Sequence, residues 1–284
     1  MRSRKVSQFL HNKVPSSFIK AYHSYKANRN FYFEVQVAEH CNLNCVGCTH
    51  FSSIAEEGFI DLGVYERDIK RMAELFGSDY PFVVRLMGGE PLLHPELEEL
   101  FVITRRVLPK AEVWVVTNGI LLPSRPAKFW QSCKENNIKI YISKYPVNIN
   151  YAAIDAKVAE YGLALVDFRE EKTVDFHHNV LDLEGRCDAV HSFKNCSLAN
   201  SCHNLCRGKL YTCSVAAHIH HLKKYFDLDI ELSEQNGIDI FKVNSSKEII
   251  ELMNKPIPLC RYCDIDAWYP VEWKVSEKKL EEWT

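Results

Sequence analysis

The stretch EHCNLNCVGCTH, residues 39–50, gathers three thiols on one short loop. Cys41, Cys45 and Cys48 are separated by three and by two residues, so a single tight loop brings their sulfurs to one point. Three cysteines cannot all pair in disulfides. Soft thiolates grouped in this way favour zinc or an iron–sulfur cluster, and a [4Fe–4S] cube held by three ligands keeps one corner open. The stretch therefore predicts a metal centre that can bind a further molecule.

A second motif follows about one strand–helix unit later. The apolar run at residues 31–37 predicts a first strand before the cysteine loop, and residues 83–91, VVRLMGGEP, predict another strand ending in a GGEP element. The two motifs, in this order and at this separation, resemble the signature of radical S-adenosylmethionine (SAM) enzymes. In that family the residue before the third cysteine is usually aromatic. It is Gly47 here, and we expect Phe51 or His50 to supply the ring packing.

Composition narrows the class of protein. A chain of 284 residues that is 46% hydrophobic predicts one large domain, with or without an appendage. The formal charge of −2 does not indicate a nucleic-acid partner. We find no apolar run near the roughly 18 residues of a membrane span and no signal-peptide pattern. Eleven cysteines in such a chain predict a reducing cytoplasm and metal ligation.

Strand and helix patterns alternate after residue 31. Such βα units predict an α/β fold with a parallel sheet and helices outside. The resemblance implies an open, partial (β/α)6 barrel with its site at the carboxyl ends of the strands. The predicted strands are residues 31–37, 82–87, 112–117, 139–143 and 164–168, and the predicted helices are residues 62–76, 95–107, 124–137 and 149–161.

We predict three segments. Residues 1–30 carry seven Lys and Arg and no acidic residue, and we expect a helical extension that packs on the barrel. A membrane-surface contact or a patch for an anionic substrate is the alternative. Residues 31–184 are the predicted radical SAM barrel. Residues 185–284 are the predicted auxiliary iron–sulfur domain and C-terminal tail.

The resemblance assigns roles at the barrel mouth. It implies that the three loop cysteines hold a [4Fe–4S] cluster whose open iron binds the amino and carboxylate groups of SAM. It also implies further contacts to SAM from residues at the strand ends, although the polar side chains among those residues could instead serve as ordinary turn and cap residues. The expected cofactor contacts are Gly88, Gly89, Glu90, Asn118, Ser143 and Lys144.

Later cysteines predict a second metal site. The spacing of Cys196, Gly208 and Cys213 resembles the opening of the auxiliary-cluster modules called SPASM and twitch, and Cys260 and Cys263 resemble the close of the twitch form. The resemblance implies one auxiliary [4Fe–4S] cluster on these four cysteines. Cys202 is the rival for the first or fourth place. A zinc site at the same thiols is the alternative.

Other reactive side chains have no assigned ligand role. Cys187 and Cys206 are either inert buried residues or catalytic residues, one of which donates a hydrogen atom to a substrate radical. His218, His220 and His221 cluster after the second motif, and we expect ordinary core or surface histidines, with phosphate or substrate contact as the alternative.

The predicted function is a radical SAM oxidoreductase or epimerase. It would reductively cleave SAM to a 5′-deoxyadenosyl radical and take hydrogen from a hydroxylated small molecule, such as a sugar, aminosugar or nucleotide-sugar. The layout resembles the aminocyclitol dehydrogenases of the family, in which the auxiliary cluster accepts an electron. A flavodoxin or ferredoxin would be the reducing partner. The alternatives are an enzyme that modifies a ribosomal peptide, and a non-catalytic iron–sulfur or zinc-binding protein.

Overall fold

A computed structural model describes residues 31–167, 176–199 and 201–284. The predicted basic extension, residues 1–30, lies outside the described residues. Among the described helices, none has the length and apolar character that crossing a bilayer requires.

Ten strands and seven α-helices make up the described chain. The strands are β1 (Tyr32–Ala38), β2 (Val83–Gly88), β3 (Glu112–Thr117), β4 (Ile138–Ile142), β5 (Leu165–Asp167), β6 (Phe176–His178), β7 (Asn204–Cys206), β8 (Lys209–Tyr211), β9 (Ile238–Asp239) and β10 (Tyr269–Val271). The helices are α1 (Leu62–Phe76), α2 (Leu97–Val107), α3 (Ala127–Glu135), α4 (Tyr151–Tyr161), α5 (Ala189–Asn195), α6 (Ser214–Phe226) and α7 (Ser246–Met253).

Eight of the strands form one sheet in the order β5-β4-β3-β2-β1-β7-β8-β9. Strands β1 to β5 pair in parallel, and β7 pairs in parallel with the other side of β1. The α/β prediction and the partial barrel are confirmed, with six parallel strands. Strands β8 and β9 extend the sheet in the antiparallel sense, and β6 and β10 form a separate antiparallel pair.

The predicted elements between residues 31 and 167 are present, with ends moved by a few residues. Asp61 caps α1 by accepting a hydrogen bond from the Val64 N–H at 2.9 Å, as expected, and Gly77 ends the helix. The helix predicted from residue 124 begins at Ala127, because Pro126 disfavours helical backbone at Arg125, which is extended.

Alternation along β1 gives the sheet two different faces. Phe33, Val35 and Val37 are fully buried in the main hydrophobic core. Glu34 and Gln36 point to the opposite face and are also buried. Side chains on one face of a strand recur every second residue, so the inner face of the barrel is polar beneath the mouth.

Residues beyond 185 pack in two places. Leu205, Leu210 and Ile249 belong to the main core, so β7, β8 and α7 complete the barrel. A second core lies beside the cysteine loop, where Phe51 and Trp283 pack with α6. The C-terminal third therefore contributes both to the sheet and to the surroundings of the loop.

Candidate active site

The cysteine loop begins where β1 ends at Ala38. Asn44, Gly47 and Phe51 all have positive φ, between 51° and 59°, and this winds the loop tightly. A Cβ at Gly47 would also lie 3.2 Å from the Glu282 carbonyl oxygen. The left-handed backbone and the close tail together explain why glycine stands before the third cysteine.

The C-terminal tail clamps this loop. The Val46 N–H donates to the Lys274 carbonyl at 3.0 Å, and the Ser276 N–H donates to the Asn44 carbonyl at 2.8 Å. The Trp283 indole donates to the Cys48 carbonyl at 3.1 Å. Phe51 packs beneath, against Trp283, so it does not line the mouth. The loop is thus held from both sides.

Two aromatic donors reach one thiol. The Trp273 indole N–H lies 3.2 Å from Cys45 Sγ, and the Tyr145 hydroxyl also hydrogen-bonds Cys45. Their rings lie 6.4 Å apart. Sequence reasoning missed both residues. Tyr145 could have been predicted, because it directly follows two predicted contacts. Trp273 could not, because it lies 228 positions from Cys45 and no nearby sequence pattern marks it.

The three thiols influence one another electrostatically. Burial raises the pKa of Cys41 to about 11 and that of Cys45 to about 12, and charge on the neighbouring thiols adds to the increase. Burial also raises the pKa of Cys48. A bound metal cation offsets this penalty because coordination deprotonates a thiol. The donor set therefore fits a thiolate-bound metal centre.

Gly88 and Gly89 let β2 approach this loop. The Gly89 N–H donates to the Ala38 carbonyl at 2.8 Å, and the Glu90 N–H donates to the His40 carbonyl at 3.1 Å. A Cβ at Gly89 would lie 1.9 Å from that His40 oxygen, and one at Gly88 would lie 2.5 Å from the Ala38 oxygen. Both glycines are required by backbone packing.

Glu90 is fully buried and bridges the ends of β2 and β3. Its carboxylate accepts hydrogen bonds from the Leu92 N–H at 3.0 Å, the Thr117 hydroxyl at 2.6 Å and the Asn118 N–H at 2.9 Å. Burial raises the pKa of this carboxyl to about 7. A carboxylate has about four acceptor positions, so one is left for a further donor.

The other predicted contacts lie at neighbouring strand ends. Asn118 follows β3, and its amide donates to Asn42 Oδ1 at 2.7 Å and lies 3.9 Å from Cys41 Sγ. Ser143 follows β4, and its N–H donates to the Thr117 carbonyl at 2.9 Å. Lys144 comes next. The structure therefore gathers these residues on the side of the sheet where the cysteine loop lies.

Two clefts open near these strand ends. One of about 640 Å³ is lined by Ile120, Pro123 and residues 148–152, which follow β3 and β4. The other, of about 270 Å³, borders Val46 and Gly47 of the cysteine loop. The first is lined by segments that follow Asn118 and Lys144 in the chain, and the second is lined mainly by the C-terminal tail.

Most of the late cysteines converge on a second place. The Cys263 thiol has its pKa raised by burial and then by its neighbours Cys213, Cys196, Cys260 and Cys187. Burial likewise raises the pKa of Cys213 to about 12. The residues that converge include the four predicted auxiliary ligands.

The remaining cysteines lie apart from that centre or at its border. Burial raises the pKa of the Cys202 thiol, and so do charges on Glu34 of the inner face of the barrel and on Cys213 and Cys196. Cys206 ends β7 and lies near Glu39 and Arg207. Cys133 is fully buried in α3. The two predicted catalytic cysteines are therefore separated: Cys187 borders the late group, and Cys206 lies nearer the barrel mouth.

The described residues include all eleven cysteines, and none of them forms a disulfide. Thiolates grouped as these are suit zinc or an iron–sulfur cluster.

Comparison with known proteins agrees with this geometry. Residues 35–143 match the family model of the radical SAM superfamily. This likeness to the superfamily covers less than half of the chain. The matched residues contain the cysteine loop, the GGEP element and the ends of β3 and β4.

The curated relatives match this chain over only part of their own length. GTP 3′,8-cyclase of Pelotomaculum thermopropionicum is 34% identical over 115 residues, which are 38% of this chain and 32% of that protein. Molybdenum cofactor biosynthesis protein 1 of Dictyostelium discoideum is 32% identical over 95 residues, which are 32% of this chain and 14% of that protein. The chain thus spans about a third or less of these relatives.

A solved structure extends the likeness in fold beyond the radical SAM domain. The crystal structure of BtrN in complex with AdoMet and 2-DOIA is 18% identical, with a TM-score of 0.51 over 83% of this chain and 93% of that chain. At this identity the likeness is one of fold. At 83% of the chain, the likeness extends well past residue 143.

Proposed function

We propose that this chain is a radical SAM enzyme that removes hydrogen from a hydroxylated small molecule, such as a sugar, aminosugar or nucleotide-sugar, by oxidation or epimerisation. The observation that carries the proposal is the convergence of Cys41, Cys45 and Cys48 beside Gly89 and Asn118, within a radical SAM domain. With a [4Fe–4S] cluster and SAM bound, such a site supplies a 5′-deoxyadenosyl radical after one-electron reduction.

The residues of the chain would divide the work as follows. The three loop thiolates hold the cluster, and Trp273 and Tyr145 hydrogen-bond the Cys45 sulfur. Gly88, Gly89 and Glu90 would bind the amino group of SAM along their backbone edge. Asn118, Ser143 and Lys144 would bind its ribose and carboxylate. A flavodoxin or ferredoxin would deliver the electron.

The buried polar face beneath the mouth supports a hydroxylated substrate. Arg85 lies over the Tyr32 ring at 4.8 Å, and its guanidinium donates to the Tyr32 hydroxyl at 3.3 Å. Glu34 accepts from Asn204 at 3.3 Å. Most of these groups pair with one another, but Arg85 Nε is buried and has no hydrogen-bond partner among the described residues, which leaves a donor for a polar substrate. BtrN, whose fold this chain resembles, was solved in complex with AdoMet and 2-DOIA.

An auxiliary [4Fe–4S] cluster on Cys196, Cys213, Cys260 and Cys263 is the second part of the proposal. These four thiols are close enough to influence one another's pKa, and a zinc site on them is the alternative. An auxiliary cluster would take up an electron when a carbinol is oxidised. Cys202 is the substitute ligand if one of the four does not bind.

Cys206 is the better placed of the two candidate hydrogen donors. It ends β7 beside the mouth, and burial raises its thiol pKa to about 11, so its S–H bond persists at neutral pH. An epimerase needs such a donor, whereas a dehydrogenase does not. Cys206→Ala should therefore leave an oxidation intact and abolish incorporation of solvent deuterium into an epimerised product.

Three cysteine substitutions test the assignment in anaerobically reconstituted protein. Cys45→Ala should lose about one cluster from roughly eight iron per chain and all SAM cleavage. Cys213→Ala should lose similar iron but keep some unproductive SAM cleavage. Cys133→Ala, the same change inside α3, should keep both. Full iron and full turnover in Cys213→Ala would refute the auxiliary site, and SAM cleavage by Cys45→Ala would refute the proposal.

GTP is the second candidate substrate. The 34% identity with a GTP 3′,8-cyclase favours it, although the match covers little beyond the radical SAM domain. The assay should therefore offer GTP beside sugars and nucleotide-sugars, with peptides as a third class. Mass spectrometry of each mixture, compared with the same mixture and Cys45→Ala protein, distinguishes the three.

A further inference from the structure

Three side chains, one after β1 and two on α6, meet beside the cysteine loop. Glu39 directly follows β1, and His218 and His221 lie one turn apart on α6, where residues three apart share a face. Each offers one ligand atom, and these atoms all lie within 4.8 Å of one another. None of the three is used by the proposed function.

His218 presents a nitrogen that is ready to bind. The residue is 0% exposed, and its Nε2 lies 3.2 Å from Asn204 Oδ1. The Asn204 amide nitrogen donates to the Cys202 carbonyl at 2.7 Å, which orients Oδ1 as the acceptor toward His218. Nε2 must then carry the proton. Nδ1 keeps a lone pair and has no hydrogen-bond partner, although it is buried.

The remaining two ligands are already spaced for a metal. His221 Nε2 lies 3.1 Å from Glu39 Oε2, and both side chains are about one-tenth exposed, at 11% and 13%. Two ligands at about 2.1 Å from one metal and at right angles to each other lie about 3.0 Å apart. The pair is hydrogen-bonded, so an ion would displace the proton between the two atoms, and rotation of the side chains would turn their lone pairs toward it.

Outer contacts hold the carboxylate in place. The Gln36 amide donates to Glu39 Oε2 at 2.5 Å, and Arg207 donates to Oε1 at 3.1 Å. Gln36 is itself oriented by His50, at 2.7 Å. Metal ligands in proteins are commonly oriented by such hydrogen bonds, as His218 is by Asn204.

We propose that Glu39, His218 and His221 form a mononuclear site for a divalent transition-metal ion, separate from the iron–sulfur centres. Two imidazoles and one carboxylate suit zinc or ferrous iron and leave positions open for water or a substrate oxygen. Glu39 is two residues from Cys41, so the ion would lie at the rim of the mouth. There it would act as a Lewis acid on a hydroxyl or carbonyl group.

Zinc binding tests the site in protein whose cysteines are already filled with iron and sulfide. The holoprotein is treated with a chelator, desalted and exposed to Zn²⁺, and zinc, iron and acid-labile sulfide are measured together. Wild type should take up one zinc per chain without losing iron. His221→Gln and Glu39→Gln should lower zinc affinity at least about tenfold, measured by competition with a chromophoric chelator, with iron and sulfide unchanged.

His220→Gln is the matched control. His220 lies on the same helix, and its ring lies 4.0 Å from that of His221. The His220→Gln variant should nevertheless retain the zinc. His221 is at the surface end of the triad, so its variant is expected to fold, and circular dichroism checks this. Equal zinc affinity in wild type and both ligand variants would refute the site. Zinc that rises only as iron and sulfide fall would mark binding to cysteines and refute it too.

Discussion

At the scale of single residues, Gly89 and Gly162 show two different physical reasons why a position requires glycine. Gly89 has no room, because an added Cβ would meet the His40 carbonyl oxygen at 1.9 Å. Gly162 ends α4 at a φ of 66° and has open space around it. One position is fixed by a close backbone contact and the other by backbone conformation.

Gly89→Ala should therefore do more harm than Gly162→Ala. Gly162→Ala should lower the free energy of unfolding by about 1 kcal/mol, the usual penalty for left-handed backbone, and should keep full iron. Gly89→Ala should cost about 3 kcal/mol or more and lower iron, because the cysteine loop must move. Urea unfolding and iron analysis measure both effects. Equal iron in the two variants would contradict the packing argument.

The indole of Trp273 is expected to tune the SAM-site cluster. Its N–H lies 3.2 Å from Cys45 Sγ, and hydrogen bonds to cluster sulfurs raise the reduction potential. Trp273→Phe should lower that potential by on the order of 60 mV, the one-electron equivalent of about 1.4 kcal/mol. Redox titration followed by electron paramagnetic resonance measures it.

Trp268→Phe is the control for this prediction. The Trp268 indole donates instead to the Val180 carbonyl, at 3.3 Å, so its loss should leave the potential unchanged. The hydrogen bond would have no electronic role if both variants shifted the potential equally.

At the scale of elements, His94 links the start of α2 to the segment before α1. It is only 2% exposed. Its Nε2 donates to the Ile60 carbonyl at 3.1 Å, and its Nδ1 accepts from the Glu96 N–H at 3.0 Å. Both bonds need the neutral ring, and burial lowers the pKa of His94 below its usual value.

His94 should make the fold less stable in acid. The unfolded chain binds this proton below about pH 6.5 while the folded chain stays neutral, so the free energy of unfolding falls as the pH decreases. His94→Gln should reduce that slope by up to about 1.4 kcal/mol per pH unit. Urea unfolding at several pH values between 5 and 8 measures it. The exposed His177→Gln should keep the wild-type slope, and equal slopes in all three proteins would refute the prediction.

Strands β7, β8 and β9 are among the elements that pattern alone did not predict. They have two or three residues each, too few for an alternation to be visible. They exist because β7 finds a partner in β1. By contrast, α1 carries its cap and its apolar spacing within its own residues, and its predicted limits were correct.

At the scale of the whole molecule, the C-terminal third is part of the barrel. Arg71 of α1 donates to the carbonyls of Ile240 at 2.9 Å and Val243 at 2.8 Å. The Gly208 N–H donates to the buried Asp68 carboxylate at 2.6 Å. These bonds and the shared core couple residues 204–253 to the first half of the chain.

A fragment of residues 1–184 should therefore fail to fold by itself. It would lack β7 beside β1, and it would lack the tail that clamps the cysteine loop. We expect an insoluble or poorly structured product that binds little iron, whereas the full chain should unfold in one cooperative step. Circular dichroism, denaturant unfolding and iron analysis test this. A soluble fragment with the SAM-site cluster would show that the predicted boundary separates independent units.

The sequence by itself determined the α/β class, the place of the cysteine loop and the gathering of the predicted contact residues at strand ends. These follow from short-range regularities: the apolar period of each element, the spacing of three thiols, and the parallel pairing that βα units impose. The tertiary structure alone decided that β7 lies beside β1, that Trp273 reaches Cys45, and that Glu39 meets two histidines of α6. Each of those contacts joins residues about 170 or more positions apart, and packing, not local pattern, sets such distances.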